Sequence, residues 1–589
     1  MLNKTDRSRA GRRGAGRIFR LKRGANGDGA GGVEEQPLRA ELLSVSQLEQ
    51  HAQSLAAWHE IETGQEGPDR LLPRLADNEI VLREAYELVS RAVSRGRRIT
   101  PAAEWFLDNY HLIEDQIRTA RRHLPRGYSR DLPRLANRAS AGYPRVYDIA
   151  LELISHADGR VDAESLRAFV AAYQSVKPFR LGELWAIPIM LRLALLENLR
   201  RVASRVTAGR RERERAGYWV EQMLETSSKD PYGVVLVLAE LVKENPPLTN
   251  AFVAEFAGCL HGQGPSLIYA MTWLEQRLAE GGQTIDQIFQ QASQNQAADQ
   301  VSIGNSIGSL RFLGATDWRD FVETMSVAEH ILRGDPRGVY AAMDFATRDR
   351  YRHAVEEIAK LSPHSEAKVA DAALDLARQA VMDGNGSGVD DTRAARTAHV
   401  GYFLVGQGRP ILERTVRMRP SLATRLSRLG RRFPMSLYVV AIASLSVAMT
   451  ALVLWSAARL GLARAGLSAA AVVMLVCASQ VAVALVHWMA GLLVRPRILP
   501  RMDFAGGIPA EHRTVVAVPT LLTDDAEIDA LLEALEVRFL ANRDENLSLA
   551  LLSDFRDAAQ ETMAEDEALL QRASEGIKAL NAKYGGRTN

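Results

Sequence analysis

The sequence predicts a mainly α-helical protein: a large soluble helical N-terminal domain, a two-helix transmembrane hairpin, and then the start of an α/β domain. Apolar residues recur with helical periodicity from residue 38 to residue 398, and no alternating strand pattern persists there. Two long apolar runs without charged residues follow, at 433–458 and 465–494. Two β-rich runs alternate with helical segments after them. Helices therefore dominate, and the predicted sheet is confined to the C-terminal region.

Composition places the chain among large, mostly soluble proteins that carry a small membrane part. Its 589 residues are enough for three or more domains, and a formal net charge of +2 gives no nucleic-acid-binding footprint. The two cysteines, Cys259 and Cys477, are far apart in the sequence. A disulfide scaffold and a cysteine-ligated zinc site are thereby excluded, and a reducing compartment is favoured.

Residues 1–37 are predicted to form a disordered tail, basic at first and then rich in glycine. The tail lacks the apolar core of a signal peptide. Its arginines and lysines suit contact with anionic lipid, and a solvated tail is an equally good interpretation.

Residues 38–398 are predicted to form the helical N-terminal domain, with helices of roughly 10–20 residues between turn signals. Thr100 followed by Pro101 is typical of an N-cap and a first helical position, and Asp162 is typical of another N-cap. One helix carries an apolar stripe at Leu184, Ile187, Leu191 and Leu195. Its segment is too short to cross a membrane, so the stripe indicates a core helix.

Residues 433–494 are predicted to be the transmembrane hairpin. Both apolar runs exceed the about 20 residues that a helix needs to cross the hydrocarbon core. The connector between the runs allows only a tight turn. A buried helical hairpin of a soluble core is the alternative.

Polar and aromatic residues in the hairpin fit a membrane. Tyr438, Trp455 and Trp488 lie near the ends of the spans, where interfacial aromatic residues are common. Gln480 and His487 lie within the second span. Intramembrane polar groups raise a functional hypothesis, but hydrogen bonds between helices are the simpler explanation for both.

Arginines are concentrated on the outer sides of the hairpin, in predicted linkers at 399–432 (basic and juxtamembrane) and 495–512. Those before the first span are Arg414, Arg417, Arg419, Arg425, Arg428, Arg431 and Arg432. Those after the second are Arg495, Arg497 and Arg501, and the turn carries Arg459 and Arg464. Because cytoplasmic flanks collect arginine and lysine, the N-terminal domain and the C-terminal end are both predicted to be cytoplasmic.

Residues 513–589 read as strand, helix, strand, helix. A β-rich run at 514–522 precedes an amphipathic helix at 524–541, and a second apolar run at 547–552 precedes a helix that begins near Ala558. Short connections of this kind are typical of the opening of a parallel α/β sheet. Ligands bind such sheets at the carboxyl ends of the strands, here 519–525 and 553–557.

Several runs of the sequence resemble one family. They are NEIVLRE (78–84), SRGRRITPAAEWFLDNYH (94–111), RHLPRGY (122–128), GELWAIP (182–188), HVGYFL (399–404), VAVPT (516–520) and LSDF (552–555). With these runs the chain is similar to the N-terminal part of a cyclic β-1,2-glucan synthase, a very large inner-membrane enzyme of Gram-negative bacteria. The long run at 94–111 is specific, whereas the Pro-Thr and Ser-Asp pairs alone would be weak.

The resemblance implies a processive glucosyltransferase of the bacterial inner membrane. Family members use UDP-glucose, build a β-1,2-linked glucan on the protein itself and then cyclise it, and a downstream phosphorylase-like domain trims its length. The resemblance also implies a GT-A-like nucleotide-sugar domain that is truncated at Asn589. The catalytic residues and the Mg²⁺ or Mn²⁺ site of the complete enzyme are then expected downstream, so this fragment is expected to be inactive alone.

The resemblance and the strand ends together nominate nucleotide-sugar-binding residues. A carboxylate at the end of the second strand can accept a hydrogen bond from uracil or ribose, which makes Asp554 the first candidate; Thr520 and Asp557 are the others. The alternative for Asp554 is a helix cap or turn residue. Asp524 and Asp525 are interpreted as caps of the next helix, where the dipole favours negative charge. No complete metal site is predicted.

Two other functions compete with the enzyme. One is a non-catalytic membrane-anchored scaffold, in which the helical domain recruits partners. The other is a transporter, for which two spans give no pathway without oligomerisation. The predicted partners are UDP-glucose, the growing glucan and the lipid bilayer, without nucleic acid, and the oligomeric state is left open.

Overall fold

The protein is described by a computed structural model, which divides into two compact units, one up to His330 and one from Ile331 onward. The described residues are 37–62, 68–125, 127–137, 140–384, 396–421, 424–425, 428, 430, 432–459, 464–493, 498–560 and 562–584. The predicted tail up to residue 36, the hairpin turn at 460–463 and the C-terminal residues 585–589 lie outside the described residues. So do Arg431, Arg495 and Arg497.

Helices dominate the first unit, which confirms the mainly α-helical prediction. They are α1 (Val45–Trp58), α2 (Leu71–Ser94), α3 (Pro101–Asp108), α4 (Tyr110–His123), α5 (Arg145–His156), α6 (Ala163–Gln174), α7 (Leu181–Lys229), α8 (Val234–Glu244), α9 (Asn250–Leu260), α10 (Ile268–Glu280), α11 (Ile285–Ala315), α12 (Trp318–Met325) and, at the boundary, α13 (Val327–Leu332). Short 3₁₀ turns occupy Tyr128–Arg130 and Pro265–Leu267. Two-residue strands β1 (Ile61–Glu62) and β2 (Arg134–Leu135) pair antiparallel, which the sequence did not predict.

Helix α7 is the centre of packing in the first unit. It packs against α2, α5, α9 and α11. The stripe formed by Leu184, Ile187, Leu191 and Leu195 is buried in the main apolar core. The core-helix interpretation of that stripe is therefore confirmed.

The expected helix length was wrong for the longest helices. Helix α7 has 49 residues and α11 has 31. The charged stretch in the middle of α7 does not end the helix, because opposite charges four residues apart support helical structure. Arg210 and Glu214 form such a pair, with a guanidinium nitrogen 3.1 Å from a carboxylate oxygen.

Two helix starts agree with the predicted caps. The hydroxyl of Thr100 accepts a hydrogen bond from the N–H of Ala103 at 3.3 Å, and Pro101 is the first residue of α3. A carboxylate oxygen of Asp162 accepts from the N–H of Ser165 at 2.9 Å, at the start of α6. Each side chain satisfies an N–H group that the helix itself leaves without a partner.

Four shorter helices of the second unit precede the long apolar helices, and a buried aspartate fixes the start of one of them. They are α14 (Phe345–Lys360), α15 (Glu366–Gly384), α16 (Val400–Leu404) and α17 (Arg409–Thr415), the last two within the predicted linker at 399–432. Asp335 accepts hydrogen bonds at 3.0 Å from Nδ1 of His399 and from the N–H of Val400. Although burial opposes it, these hydrogen bonds lower the pKa of Asp335. They fix the start of α16, so part of the run at 399–404 has a structural role.

Two long apolar helices follow, α18 (Pro434–Arg459) and α19 (Arg464–Leu493). Both are long and apolar enough to cross a membrane, and only 11% and 17% of their most apolar windows are buried. The core helices of a soluble protein would be mostly buried. Among the described side chains of the pair, Ser446 and Thr450 of α18 and Ala478, Ala482 and Val486 of α19 are buried, and the two helices pack against each other. Small residues at such positions allow two backbones to approach closely.

The C-terminal region forms a parallel two-stranded sheet with two helices. A 3₁₀ turn (Ala510–His512) leads into β3 (Thr514–Leu522), α20 (Asp525–Ala541), β4 (Leu547–Phe555) and α21 (Asp566–Tyr584). The strands pair in parallel from Thr514 opposite Leu547 to Leu522 opposite Phe555. The predicted strand–helix–strand–helix order is correct, but α21 begins at Asp566 and not near Ala558. Asp566 and Glu567 lie in its first turn, where negative charge suits the helix dipole.

Candidate functional site

The carboxyl ends of β3 and β4 lie side by side, as parallel pairing requires. Thr520 is the register partner of Ser553, and Leu521 is the partner of Asp554. Thr520 and Asp554 therefore share one end of the sheet, with Asp557 in the segment that follows β4. Their role in nucleotide-sugar binding stays a prediction.

The side chains at the carboxyl ends of the two strands are polar and at least partly exposed to solvent. Asp554 and Asp557 are exposed, and Thr520 is half-buried. One carboxylate oxygen of Asp554 accepts a hydrogen bond from the N–H of Phe555 at 2.8 Å. Asp554 belongs to the last residues of a strand, so it is not a helix N-cap in the described chain.

The neighbouring acidic pair serves α20. A carboxylate oxygen of Asp524 accepts from the N–H of Glu527 at 2.9 Å and caps the helix. Asp525 lies in the first turn and approaches a guanidinium nitrogen of Arg572 to 3.4 Å. Arg572 also pairs with Asp529 at 2.7 Å, so it joins α21 to α20. The predicted capping role of Asp524 is confirmed, whereas Asp525 is the first residue of the helix and not its cap. Asp525 instead supports the packing of the two helices through Arg572.

The carboxylates at the strand ends do not gather into a metal site. Among the described residues, the group of three or more potential ligands lies elsewhere, at His51, Glu152 and His156 in the first unit. The strand ends of this chain therefore do not by themselves fit a Mg²⁺ or Mn²⁺ ion.

Sequence reasoning missed this cluster between α1 and α5. The available signal was Glu152 and His156 four residues apart on one helix, whereas His51 lies about a hundred residues earlier. Burial lowers the pKa of His156, but hydrogen bonds to Glu152 and to the carbonyl of Glu41 outweigh it and raise the pKa above its usual range.

A buried ion pair explains part of the run at 182–188. The guanidinium of Arg145 donates to both carboxylate oxygens of Glu183, at 2.5 and 2.6 Å, and both side chains are buried. Arg145 also lies over the ring of Phe179, with 4.9 Å between the guanidinium carbon and the ring centroid. A bidentate pair in this setting fixes the start of α7 on α5 and has no access to a ligand.

The chain is similar to a known glucan synthase. The chain is 32% identical over 528 residues to the cyclic β-(1,2)-glucan synthase NdvB of Rhizobium meliloti (strain 1021). The match covers 88% of this chain and 18% of that protein, so the chain spans about a fifth of the length of its relative. No protein-family model matches the chain. The predicted resemblance to a cyclic β-1,2-glucan synthase is thereby confirmed.

Proposed function

We propose that this relative of a cyclic β-(1,2)-glucan synthase is the membrane-anchored, nucleotide-sugar-binding part of a β-1,2-glucosyltransferase. Its donor is UDP-glucose, and the growing glucan is carried on the protein before it is cyclised. The observation that carries the proposal is the parallel register that brings Thr520 and Asp554 to one edge of the sheet. Parallel α/β sheets bind their ligands at this edge.

The chemistry of the edge suits the nucleoside half of the donor. The exposed carboxylate of Asp554 accepts hydrogen bonds from the uracil N–H or the ribose hydroxyls. Thr520 pairs with Ser553, one residue before Asp554, so its side chain projects from the opposite face of the sheet and reaches the donor only around the end of β3. Asp557, in the segment that follows β4, adds a further carboxylate near this end of the sheet. A divalent Mg²⁺ or Mn²⁺ ion in the complete enzyme would neutralise the diphosphate leaving group.

The residues at 513–589 bind the donor but do not complete the transfer. Parallel sheets are normally covered on both faces. Here Val515, Leu521 and Leu552 are 66%, 53% and 65% exposed, and the helices cover one small cluster around Leu522 and Ile528. We infer that additional elements of a GT-A-like domain cover this surface and bring the general base and the metal ligands.

Helices α18 and α19 anchor the chain in the bacterial inner membrane, with both flanking regions in the cytoplasm. The low burial of their apolar surface supports this placement. Arg414 and Arg419 precede the pair, and Arg501 follows it. In the cytoplasm, the carboxyl ends of β3 and β4 lie in the compartment that contains nucleotide sugars.

The test is equilibrium binding of UDP-glucose to the purified full chain in lipid nanodiscs. We expect UDP to compete and GDP not to compete. Replacement Asp554→Asn should weaken binding about 10- to 100-fold, because a hydrogen bond to a charged group contributes about 1.5–3 kcal/mol. Glu533→Gln, an exposed carboxylate on α20, is the matched control and should leave binding unchanged.

Two further outcomes are informative. If the folded wild-type chain does not bind UDP-glucose, the nucleotide-sugar proposal is wrong and the membrane-anchored scaffold replaces it. Incubation with radiolabelled UDP-glucose and Mg²⁺ or Mn²⁺ should leave the protein unlabelled. Label on the protein would contradict the inferred inactivity of the chain alone but not its binding of the donor.

A further inference from the structure

Three potential metal ligands meet between two helices of the first unit. His51 lies on α1, and Glu152 and His156 lie one turn apart on α5. Residues four apart on a helix share a face, so α5 presents a carboxylate and an imidazole together. Both face His51, whose ring centroid is 4.4 Å from that of His156.

The spacing of the ligand atoms suits a tetrahedral cation. Nε2 of His51 lies 3.0 Å from a carboxylate oxygen of Glu152, and Nε2 of His156 lies 3.6 Å from the same oxygen. All three ligand atoms lie within 4.8 Å of one another. Zinc bonds of about 2.0–2.1 Å place tetrahedral ligand atoms about 3.3 Å apart, so only small side-chain movements are needed.

A backbone carbonyl sets the orientation of His156. Nδ1 of His156 lies 2.8 Å from the carbonyl oxygen of Glu41. A carbonyl only accepts, so Nδ1 carries the proton and Nε2 is left to face the cluster. Metal-binding histidines commonly donate their second ring N–H in this way. Backbone hydrogen bonds from Ala40 to Ser155 and from Leu43 to His156, at 2.9 and 3.1 Å, hold the carbonyl in place.

The carboxylate of the cluster is buried, whereas its two imidazoles are partly exposed to solvent. The side chain of Glu152 is 7% exposed, whereas His51 and His156 are 20% and 14% exposed. A metal ion can therefore enter from solvent and keep a water molecule as its fourth ligand.

We propose that His51, Glu152 and His156 bind one Zn²⁺ ion, which ties α1 to α5. Two imidazoles and one carboxylate form a known zinc donor set, whereas Ca²⁺ and Mg²⁺ prefer oxygen ligands. The competing arrangement is a doubly protonated His156 that donates to Glu152 without any metal. The proposal is independent of the nucleotide-sugar function.

The experiment uses the full chain, purified without a histidine tag, stripped with chelator and dialysed against Zn²⁺. Elemental analysis should find about one zinc per wild-type chain, and zinc should raise the midpoint of thermal unfolding. His51→Gln and Glu152→Gln should lose both effects. His353→Gln is the matched control, because His353 and Asp349 are also four residues apart and in contact. It should retain the zinc and the thermal shift.

A second measurement guards against misfolded variants. Chelator-treated Glu152→Gln should unfold within a few degrees of chelator-treated wild type. Cobalt substitution of wild type should give the visible absorption of a four-coordinate ion, which Glu152→Gln should lack. Equal zinc content in wild type and Glu152→Gln, or a wild type that holds no zinc, overturns the proposal in favour of the protonated pair.

Discussion

The hydroxyl of Tyr438 lies 2.6 Å from Nε2 of His487, and this contact joins α18 to α19. The two rings are stacked, with 5.7 Å between their centroids. His487 had two explanations in the sequence, a functional polar group or a hydrogen bond between helices. The contact favours the second, because it satisfies the imidazole within the helical pair.

The contact predicts a measurable coupling between the two helices. In a double-mutant cycle of Tyr438→Phe and His487→Phe, we expect a coupling energy of about 0.6 kcal/mol, the mean for hydrogen bonds between membrane helices, and not more than about 1.7 kcal/mol. The measurement is reversible unfolding of the full chain in mixed micelles. Strictly additive single effects would contradict the hydrogen bond.

Glu197 is predicted to be a stability determinant of the first unit. Its carboxylate, buried on α7, accepts from Arg74 at 2.9 Å, from Arg200 at 2.9 Å and from Arg201 at 2.8 Å. Burial opposes ionisation, but the three guanidiniums hold the pKa of Glu197 well below its usual range. Glu197→Gln should destabilise the protein by about 3 kcal/mol, because it leaves partly buried positive charges without a counter-ion. Thermal unfolding of the full chain measures the loss.

Glu79 provides the matched control for that variant. It also lies between two arginines, Arg83 and Arg121, but both of these are more than half exposed. Exposed pairs contribute about 0–1 kcal/mol, so Glu79→Gln should change stability little. Equal losses of stability in Glu197→Gln and Glu79→Gln would show that burial of the carboxylate does not determine the size of the loss.

Local signals in the sequence predicted the helices and strands better than they predicted contacts between residues far apart in the chain. The caps at Thr100 and Asp162 depend on neighbours three residues away, so the sequence contains all that is needed. The contact of His51 with Glu152 joins residues far apart in the chain and requires the packing of α1 near α5. The strand ends were predictable because parallel pairing follows from strand–helix–strand order.

The same distinction applies to the candidate binding site. That Thr520 and Asp554 share an edge follows from chain order. Whether either side chain contacts a nucleotide sugar depends on all the groups around this end of the sheet, and no local sequence pattern specifies their arrangement.

The stability contributed by His353 should depend on pH. The hydrogen bond to Asp349 raises the pKa of His353 to about 9, although burial lowers it. The ordinary histidine pKa is about 6.5, so the stabilisation is fully present below pH about 6.5 and is lost as the pH rises through about 9. The side chain is half exposed, so solvent screening keeps the effect small.

The measurement compares the unfolding midpoints of wild type and His353→Gln. The difference between them should be largest near pH 6 and should shrink as the pH passes 9. A difference that stays constant from pH 6 to pH 10 would show that the ring is not charged by its contact with Asp349.

Two aspartates of the C-terminal region, Asp524 and Asp554, should have different roles, one in capping a helix and one in binding. Asp524 caps α20 through the N–H of Glu527, so Asp524→Ala should destabilise this region by about 1 kcal/mol. The affinity of the Asp524→Ala variant for UDP-glucose should equal that of wild type at temperatures where the C-terminal region stays folded. Asp554 is exposed at the end of β4, so Asp554→Ala should leave stability nearly unchanged but reduce that affinity. Thermal unfolding and equilibrium binding of both variants measure the contrast. If Asp524→Ala weakens binding as much as Asp554→Ala does, the site extends onto the start of α20, because negative charge there would then contact the donor as well as the helix.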